Sequence, residues 1–313
     1  MSPKQGQIIQ HCKSILTSRR IRNKVVVLCE GSIPHLQGRP SPQAYGKMES
    51  MPDANFYKAC VPTWWRESLP QFFNCGDRND VLDTYFSLLE LHDASSSSSY
   101  LEPTKLFAIV DLDLQVRSIS NYSFPDTESI FKHLYEKAKV NEANASQHRI
   151  WVTGLIHKEA YFILPRLQEV FDQFPVQSTY KNSDLIIEDL YFDIANETIN
   201  DIDLQRNLQR ACNRICYCTE LDFTEIGKLK DSWVAQFRNS QDISRKEELV
   251  VALLTVRKAK DYWNQIQPSS EWTRPISGFK EQLALQIARF YAEQNDTEKY
   301  HISSFFKNLY QFI

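Results

Sequence analysis

Short apolar runs alternate with segments of helical spacing through the first half of the chain. The apolar runs lie at about 24–29, 71–75, 106–110 and 148–153. The segments with apolar residues three or four positions apart lie at about 1–22, 53–60, 80–91 and 126–139. Continuous apolar runs are typical of parallel strands that are buried on both faces. The alternation therefore predicts an α/β domain with a mainly parallel sheet flanked by helices, over residues 1–175.

Beyond residue 184 the strand signals give way to helical spacing. The predicted helices lie at about 186–196, 204–218, 223–237, 245–256, 278–292 and 303–312. We therefore predict an α-helical domain over 184–313, which has an ordinary domain size. Within the first domain, the Pro-, Gly- and Ser-rich stretch 32–52 is predicted to be an inserted loop. The run of five serines places a flexible surface loop at 93–103.

Composition is that of a globular chain in water. Of the 313 residues, 42% are apolar and 24% are charged. No apolar run approaches the ~20 residues that span a bilayer, and the first residues lack the apolar stretch of a signal peptide. We expect a cytoplasmic protein with no membrane partner. The net charge of −3 argues against a dedicated nucleic-acid coat protein but is compatible with an enzyme that has an acidic metal site.

The seven cysteines have no disulfide spacing, and we expect reduced, mostly buried thiols. Three of them, Cys212, Cys216 and Cys218, are close in sequence. Structural zinc sites usually combine two closely spaced ligand pairs, and no second pair is obvious here. The spacing favours a helix in which Cys212 and Cys216 share one face as small packing residues.

Acidic residues follow two of the predicted strands directly. Glu30 ends the first apolar run, and Asp111 and Asp113 follow the run at 106–110. On an extended strand, side chains two positions apart point to the same face. The carboxyl ends of parallel strands form the edge where open α/β sheets bind ligands. Three carboxylates gathered there would repel one another, and a divalent cation would relieve that repulsion, so we predict a Mg²⁺ (or Mn²⁺) site for phosphate chemistry.

Five short motifs occur in a recognisable order. They are Glu30-Gly31, Asp53-Ala-Asn-Phe56-Tyr57, Gly76-Asp-Arg78-Asn79-Asp-Val-Leu82, Asp111-Leu-Asp113 and Thr153-Gly154-Leu-Ile-His157-Lys158-Glu159-Ala-Tyr161. In this order the chain resembles a group of uncharacterised Toprim-related proteins that often accompany AAA-type ATPases. The resemblance covers about residues 20–170. One departure is that the whole of 31–52 separates Glu30 from the next acid, Asp53, whereas such families place the next acid within a few residues.

The resemblance implies a Toprim-like fold and a Mg²⁺-dependent nuclease or related phosphoryl-transfer enzyme that acts on nucleic acid, with a role in defence against foreign DNA. It implies that Glu30 is the general acid/base and that Asp111 and Asp113 hold the metal. A second cation would use Asp53 or Glu159. It also implies an AAA-type ATPase as partner, on a separate chain, because the P-loop pattern is missing from this sequence.

Several residues near these acids are candidates for binding phosphate through backbone N–H groups or positive charge. They are Gly31, Gly76, Arg78, Asn79, His157 and Lys158. The segment 76–79 is equally well interpreted as an ordinary capped turn, and Asp53 as a helix N-cap. Likewise, Trp64-Trp65 could stack on bases, but packing is favoured.

Basic residues at 245–246 and 257–260 are interpreted as a solvated helix face, with contact to a phosphate backbone as the alternative. At the level of function, two other hypotheses remain. One is a non-catalytic module that binds nucleic acid or an ATPase. The other is a phosphatase with an Asp nucleophile, which is disfavoured because Asp111-Leu-Asp113-Leu-Gln115 lacks the Thr expected after such a nucleophile.

Overall fold

The computed structural model describes residues 3–33, 52–296 and 299–313, so most of the predicted insertion 32–52 lies outside the described residues. The strands are β1 (Val26–Cys29), β2 (Gln71–Asn74), β3 (Leu106–Val110), β4 (Tyr135–Glu136), β5 (Lys139–Val140), β6 (Ile150–Val152), β7 (Ser178–Tyr180), β8 (Ser183–Asp184) and β9 (Gln267–Pro268). The first seven helices are α1 (Pro3–Leu16), α2 (Pro52–Ala59), α3 (Arg78–Ala94), α4 (Thr127–Leu134), α5 (Glu142–Ala145), α6 (Gln168–Asp172) and α7 (Ile187–Asn196). The remaining helices are α8 (Ile202–Arg206), α9 (Leu208–Ile215), α10 (Ile226–Asn239), α11 (Ile243–Val256), α12 (Lys260–Gln265), α13 (Ile276–Glu293) and α14 (His301–Tyr310).

A four-stranded, all-parallel sheet lies at the centre of the α/β half, in the order β2-β1-β3-β6. Val27 of β1 pairs with Phe72 on one side and with Phe107 on the other. The chain leaves β1 toward β2 and then crosses to β3 on the opposite side of β1. The order of strands therefore reverses between β1 and β3, and ligands of open α/β sheets bind at such a switch point.

Helices from both halves of the sequence flank this sheet. Helix α3 packs against β1 and β3, and α1 packs against α3. Helix α14 returns from the far part of the sequence to the sheet, where Phe306 contacts Phe72 of β2 at a ring distance of 6.1 Å and Phe305 contacts Trp151 of β6 at 5.3 Å. The buried side chains of the two predicted domains form one continuous cluster, so the two halves share a core.

Two predicted helices differ in the structure, and one small sheet was not predicted. The helix predicted at 126–139 ends at Leu134, and a β4–β5 hairpin follows, whose turn residues Lys137 and Ala138 both have positive φ. This is the backbone geometry of a tight two-residue turn, which the apolar spacing did not reveal. The segment predicted as one helix at 204–218 is divided into α8 and α9 at Asn207. A small antiparallel sheet, β8-β7-β9, was also missed because its strands are too short to show a period.

The serine run, the cysteines and the apolar character of the helices can be compared directly with the predictions. The serine run contains a short 3₁₀ helix, Ser96–Ser98, with exposed side chains. All seven cysteines are unpaired thiols and six are buried, but Cys216 is exposed because α9 ends just before it. The shared face predicted for Cys212 and Cys216 is therefore wrong. In the described part of the chain, no helix combines the length and apolar character required to cross a membrane.

Candidate active site at the carboxyl edge of the parallel sheet

The loops that follow β1, β2, β3 and β6 surround a cavity of about 690 Å³. This cavity brings together all of the predicted site residues except Asn79. Those that line it are Glu30, Gly31, Asp53, Gly76, Arg78, Asp111, Asp113, His157, Lys158 and Glu159. It lies at the β1/β3 switch point, where the fold places the ends of adjacent strands side by side.

Glu30 and the segment after β3 are in direct contact. The Oε1 atom of Glu30 accepts a hydrogen bond from the backbone N–H of Asp111, with a length of 2.8 Å. The N–H of Leu112 is bound by the Thr153 hydroxyl at 3.0 Å, and that of Asp113 by the Ile156 carbonyl at 3.0 Å. The loop after β3 is thus held by residues of the neighbouring strand ends, β1 on one side and β6 on the other.

Three arginines bind the carbonyl groups of the same loop. Arg78 donates to the carbonyl of Leu112 at 3.3 Å, Arg214 to that of Asp113 at 2.7 Å, and Arg210 to that of Leu114 at 2.6 Å. Arg214 and Arg210 belong to α9, in the helical half. Asp113 has a φ of 42°, a left-handed conformation that costs a non-glycine residue energy. These contacts keep the Asp113 backbone in that conformation.

Gly31 allows the loops after β1 and β2 to approach each other closely. Its N–H and carbonyl exchange hydrogen bonds of 2.8 and 2.7 Å with Gly76. The φ of Gly31 is 140°, and a Cβ atom there would lie 2.6 Å from both Asn74 Nδ2 and Asp53 Oδ2. A side chain at position 31 would therefore clash with the wall of the cavity, which explains the glycine after Glu30.

The two innermost carboxylates are difficult to ionise. Burial raises the pKa of Asp111 well above its usual value, and the nearby charges of Glu30 and Glu159 raise it further. Burial also raises the pKa of Glu30, against the opposing effects of the Asp111 N–H and the Arg78 guanidinium. Such groups hold a proton more tightly than exposed carboxylates do, and a bound cation would stabilise their charged forms.

The loop after β6 contributes an ion pair and a hydrogen-bonded histidine to the site. Lys158 pairs with Asp53. Because α2 begins at Pro52, Asp53 lies inside its first turn, and the alternative interpretation of Asp53 as the N-cap is wrong. His157 accepts a hydrogen bond at Nε2 from the N–H of Ala259 (3.2 Å), which places the proton of the neutral ring on Nδ1, 3.3 Å from Glu159 Oε2. Burial lowers the pKa of His157 and also that of Lys158.

The start of α3 is a capped turn, as in the alternative interpretation of 76–79. The Asp77 carboxylate accepts hydrogen bonds from the N–H groups of Asn79 and Asp80, and the Asp77 N–H is bound by the Asp80 side chain. Because Asp77 binds these N–H groups, they are not open to an anion, and Asn79 lies outside the cavity lining.

Trp65 follows the packing interpretation, whereas Trp64 is 42% exposed. Trp65 is buried, and both Trp64 and Trp65 contact the ring of Tyr310 on α14.

Lys258 and Lys260 also line the cavity; Lys258 lies in the turn between α11 and α12, and Lys260 is the first residue of α12. The prediction of a solvated helix face for 257–260 is wrong, since α11 ends at Val256. Arg257-Lys258-Ala-Lys260 carries no sequence signal for a contact with strand ends so distant in the chain. Counted over the described residues, seven carboxylates and four cationic side chains line the cavity, a formal excess of negative charge among them.

The donor set fits a hard cation, whereas its present arrangement is not that of a closed metal site. Glu30, Asp111 and Asp113 offer carboxylate oxygens, which Mg²⁺ prefers, and the raised pKa values of Glu30 and Asp111 show that their negative charges are not fully compensated. However, among the described residues no three His, Cys, Asp or Glu side chains are grouped closely enough to hold a metal. One oxygen of Asp113 is bound to the Leu114 N–H, and Arg78 lies 4.0 Å from the other. Rotation of these side chains would be needed to bind an ion.

Comparison of the chain with models of protein families, with curated proteins and with solved structures gives no match.

Proposed function

We propose that this chain is a divalent-metal-dependent phosphodiester hydrolase that acts on nucleic acid. The observation that carries the proposal is the meeting of Glu30, Asp111 and Asp113 in one cavity at the β1/β3 switch point. Cationic side chains that suit phosphate, Arg78 and Lys158, line the same cavity. The Toprim resemblance of the motif order supports the proposal further.

In this proposal, Asp111 and Asp113 would hold Mg²⁺, and Glu30 would stand beside it. The ion, when bound, polarises the phosphate and lowers the pKa of a bound water. Glu30, whose Oε1 atom accepts a hydrogen bond from the Asp111 N–H, acts as the proton carrier beside the ion. Arg78 and Lys158 bind the phosphate oxygens.

Two measurements test the proposal. Mg²⁺ or Mn²⁺ should raise the melting temperature of the wild type, because a ligand that binds only the folded state stabilises it. The double variant Asp111→Asn/Asp113→Asn should lose that gain, whereas Asp231→Asn, a change of an exposed acid on α10, should keep it. Cleavage of plasmid DNA and of single-stranded DNA and RNA should follow the same pattern.

The outcomes separate the competing functions. Metal binding without cleavage would favour a non-catalytic module that binds nucleic acid or an AAA-type ATPase. A wild type without a metal-dependent gain and without cleavage would end the metalloenzyme proposal.

A further inference from the structure

The turn between α11 and α12 forms a wall of the cavity, although it lies far from the strand ends in the sequence. Three hydrogen bonds fasten this region to the loop after β6. The N–H of Ile156 donates to the carbonyl of Leu254 at 3.0 Å, the hydroxyl of Thr255 donates to the carbonyl of Gly154 at 3.3 Å, and the N–H of Ala259 donates to His157 Nε2 at 3.2 Å. The fold therefore fixes the backbone on both sides of Lys258 relative to the carboxylates.

A second contact stabilises the same turn. Arg257, immediately before Lys258, is buried and forms an ion pair with Asp201 at the start of α8. Arg257 is held in the protein and Ala259 is bound to His157, and the side chain between them lines the cavity. The ammonium group of Lys258 is consequently placed at the cavity rim by its neighbours.

The present partners of Lys258 are weakly held. Its Nζ atom lies 3.8 Å from Asp113 Oδ1 and 3.4 Å from Asp203 Oδ2, and the side chain is 43% exposed. Exposed ion pairs of this length contribute little free energy. A dianionic or monoanionic oxygen group could therefore replace them at small cost. Lys260 is exposed on the same side of the cavity.

We propose that Lys258, assisted by Lys260, binds a backbone phosphate of the nucleic-acid substrate, so that the helical half supplies part of the substrate site. This inference rests on the proposed function and assigns a substrate contact to it. A lysine ammonium is a point charge that binds phosphate oxygens without a fixed geometry. Its place at the rim, beside the acids that suit a cation, corresponds to a phosphate adjacent to the one that reacts.

Salt dependence of binding provides the test. The affinity of a labelled single-stranded oligodeoxythymidine is measured over a range of KCl concentrations, with Ca²⁺ as the divalent ion and cleavage checked on a gel. Each lost phosphate contact reduces the slope of log Kobs against log[salt] by ~0.7 for a single strand. The slope for Lys258→Met should be smaller than that of the wild type by about this amount, and the slope for Lys258→Met/Lys260→Met should be smaller by up to about twice this amount. Lys258→Arg, which keeps the charge, should keep the slope.

Two further variants serve as a matched control and as a test of the competing carboxylate. Lys246→Met is the matched control, because Lys246 is a lysine of α11 that pairs with Glu188 at 2.8 Å and lies outside this cavity; it should leave the slope unchanged. Asp203→Asn removes a competitor for the Lys258 ammonium and should strengthen binding by up to about fivefold.

An unchanged slope in Lys258→Met, while the wild type binds the oligonucleotide, would overturn the role of Lys258 and leave the proposed function standing. Equal losses in Lys258→Met and Lys246→Met would also overturn it, since the effect would then be one of total charge. A wild type that neither binds the oligonucleotide nor gains stability from the metal would overturn both proposals together.

Discussion

Removal of the Arg214 guanidinium should destabilise the protein strongly, because it leaves a carboxylate buried without its partner. Arg214 is 1% exposed and Glu128 is 9% exposed, and two hydrogen bonds of 2.7 and 3.1 Å join Arg214 to Glu128 Oε2. Breaking a buried ion pair by removing one partner costs ~3–5 kcal/mol. The lost hydrogen bond to the Asp113 carbonyl adds about 1 kcal/mol. We therefore expect Arg214→Met to lower the free energy of unfolding by ~4–6 kcal/mol.

The double variant should be far less affected than the single one. Within the pair, Arg214 Nη1 and Glu128 Oε1 have no hydrogen-bond partner, so burial of these charges is only partly compensated. Replacement of a buried pair by apolar residues of similar size is often neutral or stabilising. Arg214→Met/Glu128→Leu should therefore cost no more than ~1 kcal/mol, the value of the lost contact to Asp113.

Urea unfolding followed by tryptophan fluorescence measures these differences, and an unchanged m-value would show that the unfolded state is comparable. Arg214→Lys is the control that keeps the charge but loses the paired guanidinium hydrogen bonds. Its free energy of unfolding should lie between those of the wild type and Arg214→Met. A cost below about 1 kcal/mol for Arg214→Met, or a double variant as unstable as Arg214→Met, would contradict this expectation.

Three further predictions concern other parts of the fold. Gly31→Ala should lower stability by ~1–3 kcal/mol in urea unfolding, because Gly31 has a positive φ and close neighbours. Gly227, which has open space around it, is the control, and Gly227→Ala should not lower stability. Equal effects of the two substitutions would contradict this. Burial lowers the pKa of His301 from 6.5 to about 4, so the folded state binds fewer protons and His301 alone should lower stability by about 2 kcal/mol at pH 5. His11 and His148, whose pKa values burial also lowers to about 4, act in the same direction, so in urea unfolding His301→Gln should make the fall in stability from pH 6.5 toward 4 shallower without removing it. In the native protein, the exposed Cys216 should react rapidly with a thiol reagent and the six buried thiols slowly, and Cys216→Ser should abolish the rapid phase.

The central sheet was predictable because its strands carry their own signal. The run ending at Cys29 and the run ending at Val110 are apolar without interruption, and both became fully buried parallel strands. The positions of Glu30 and Asp111 follow from those strand ends, since parallel strands bring their carboxyl ends to one edge. Sequence alone therefore sufficed to predict that these two acids would meet.

The rest of the site depends on contacts between residues distant in sequence, which local patterns do not record. Lys258 reaches the cavity because α11 is bound to the loop after β6. Arg214 lies in an amphipathic helix, and the spacing of that helix does not indicate that Arg214 binds the Asp113 carbonyl. The missed β4–β5 hairpin has another cause, because Lys137 and Ala138 adopt a left-handed turn without the usual glycine or asparagine.

The return of α14 to the sheet has a consequence for biosynthesis. Phe305 and Phe306 cover aromatic side chains of β2 and β6, strands that leave the ribosome long before α14 is made. Until then the nascent sheet exposes these rings to water, a state that favours aggregation and engages chaperones. A premature stop codon before His301 would therefore yield a chain that cannot complete its core, and quality-control proteases rather than loss of the active site would determine its fate.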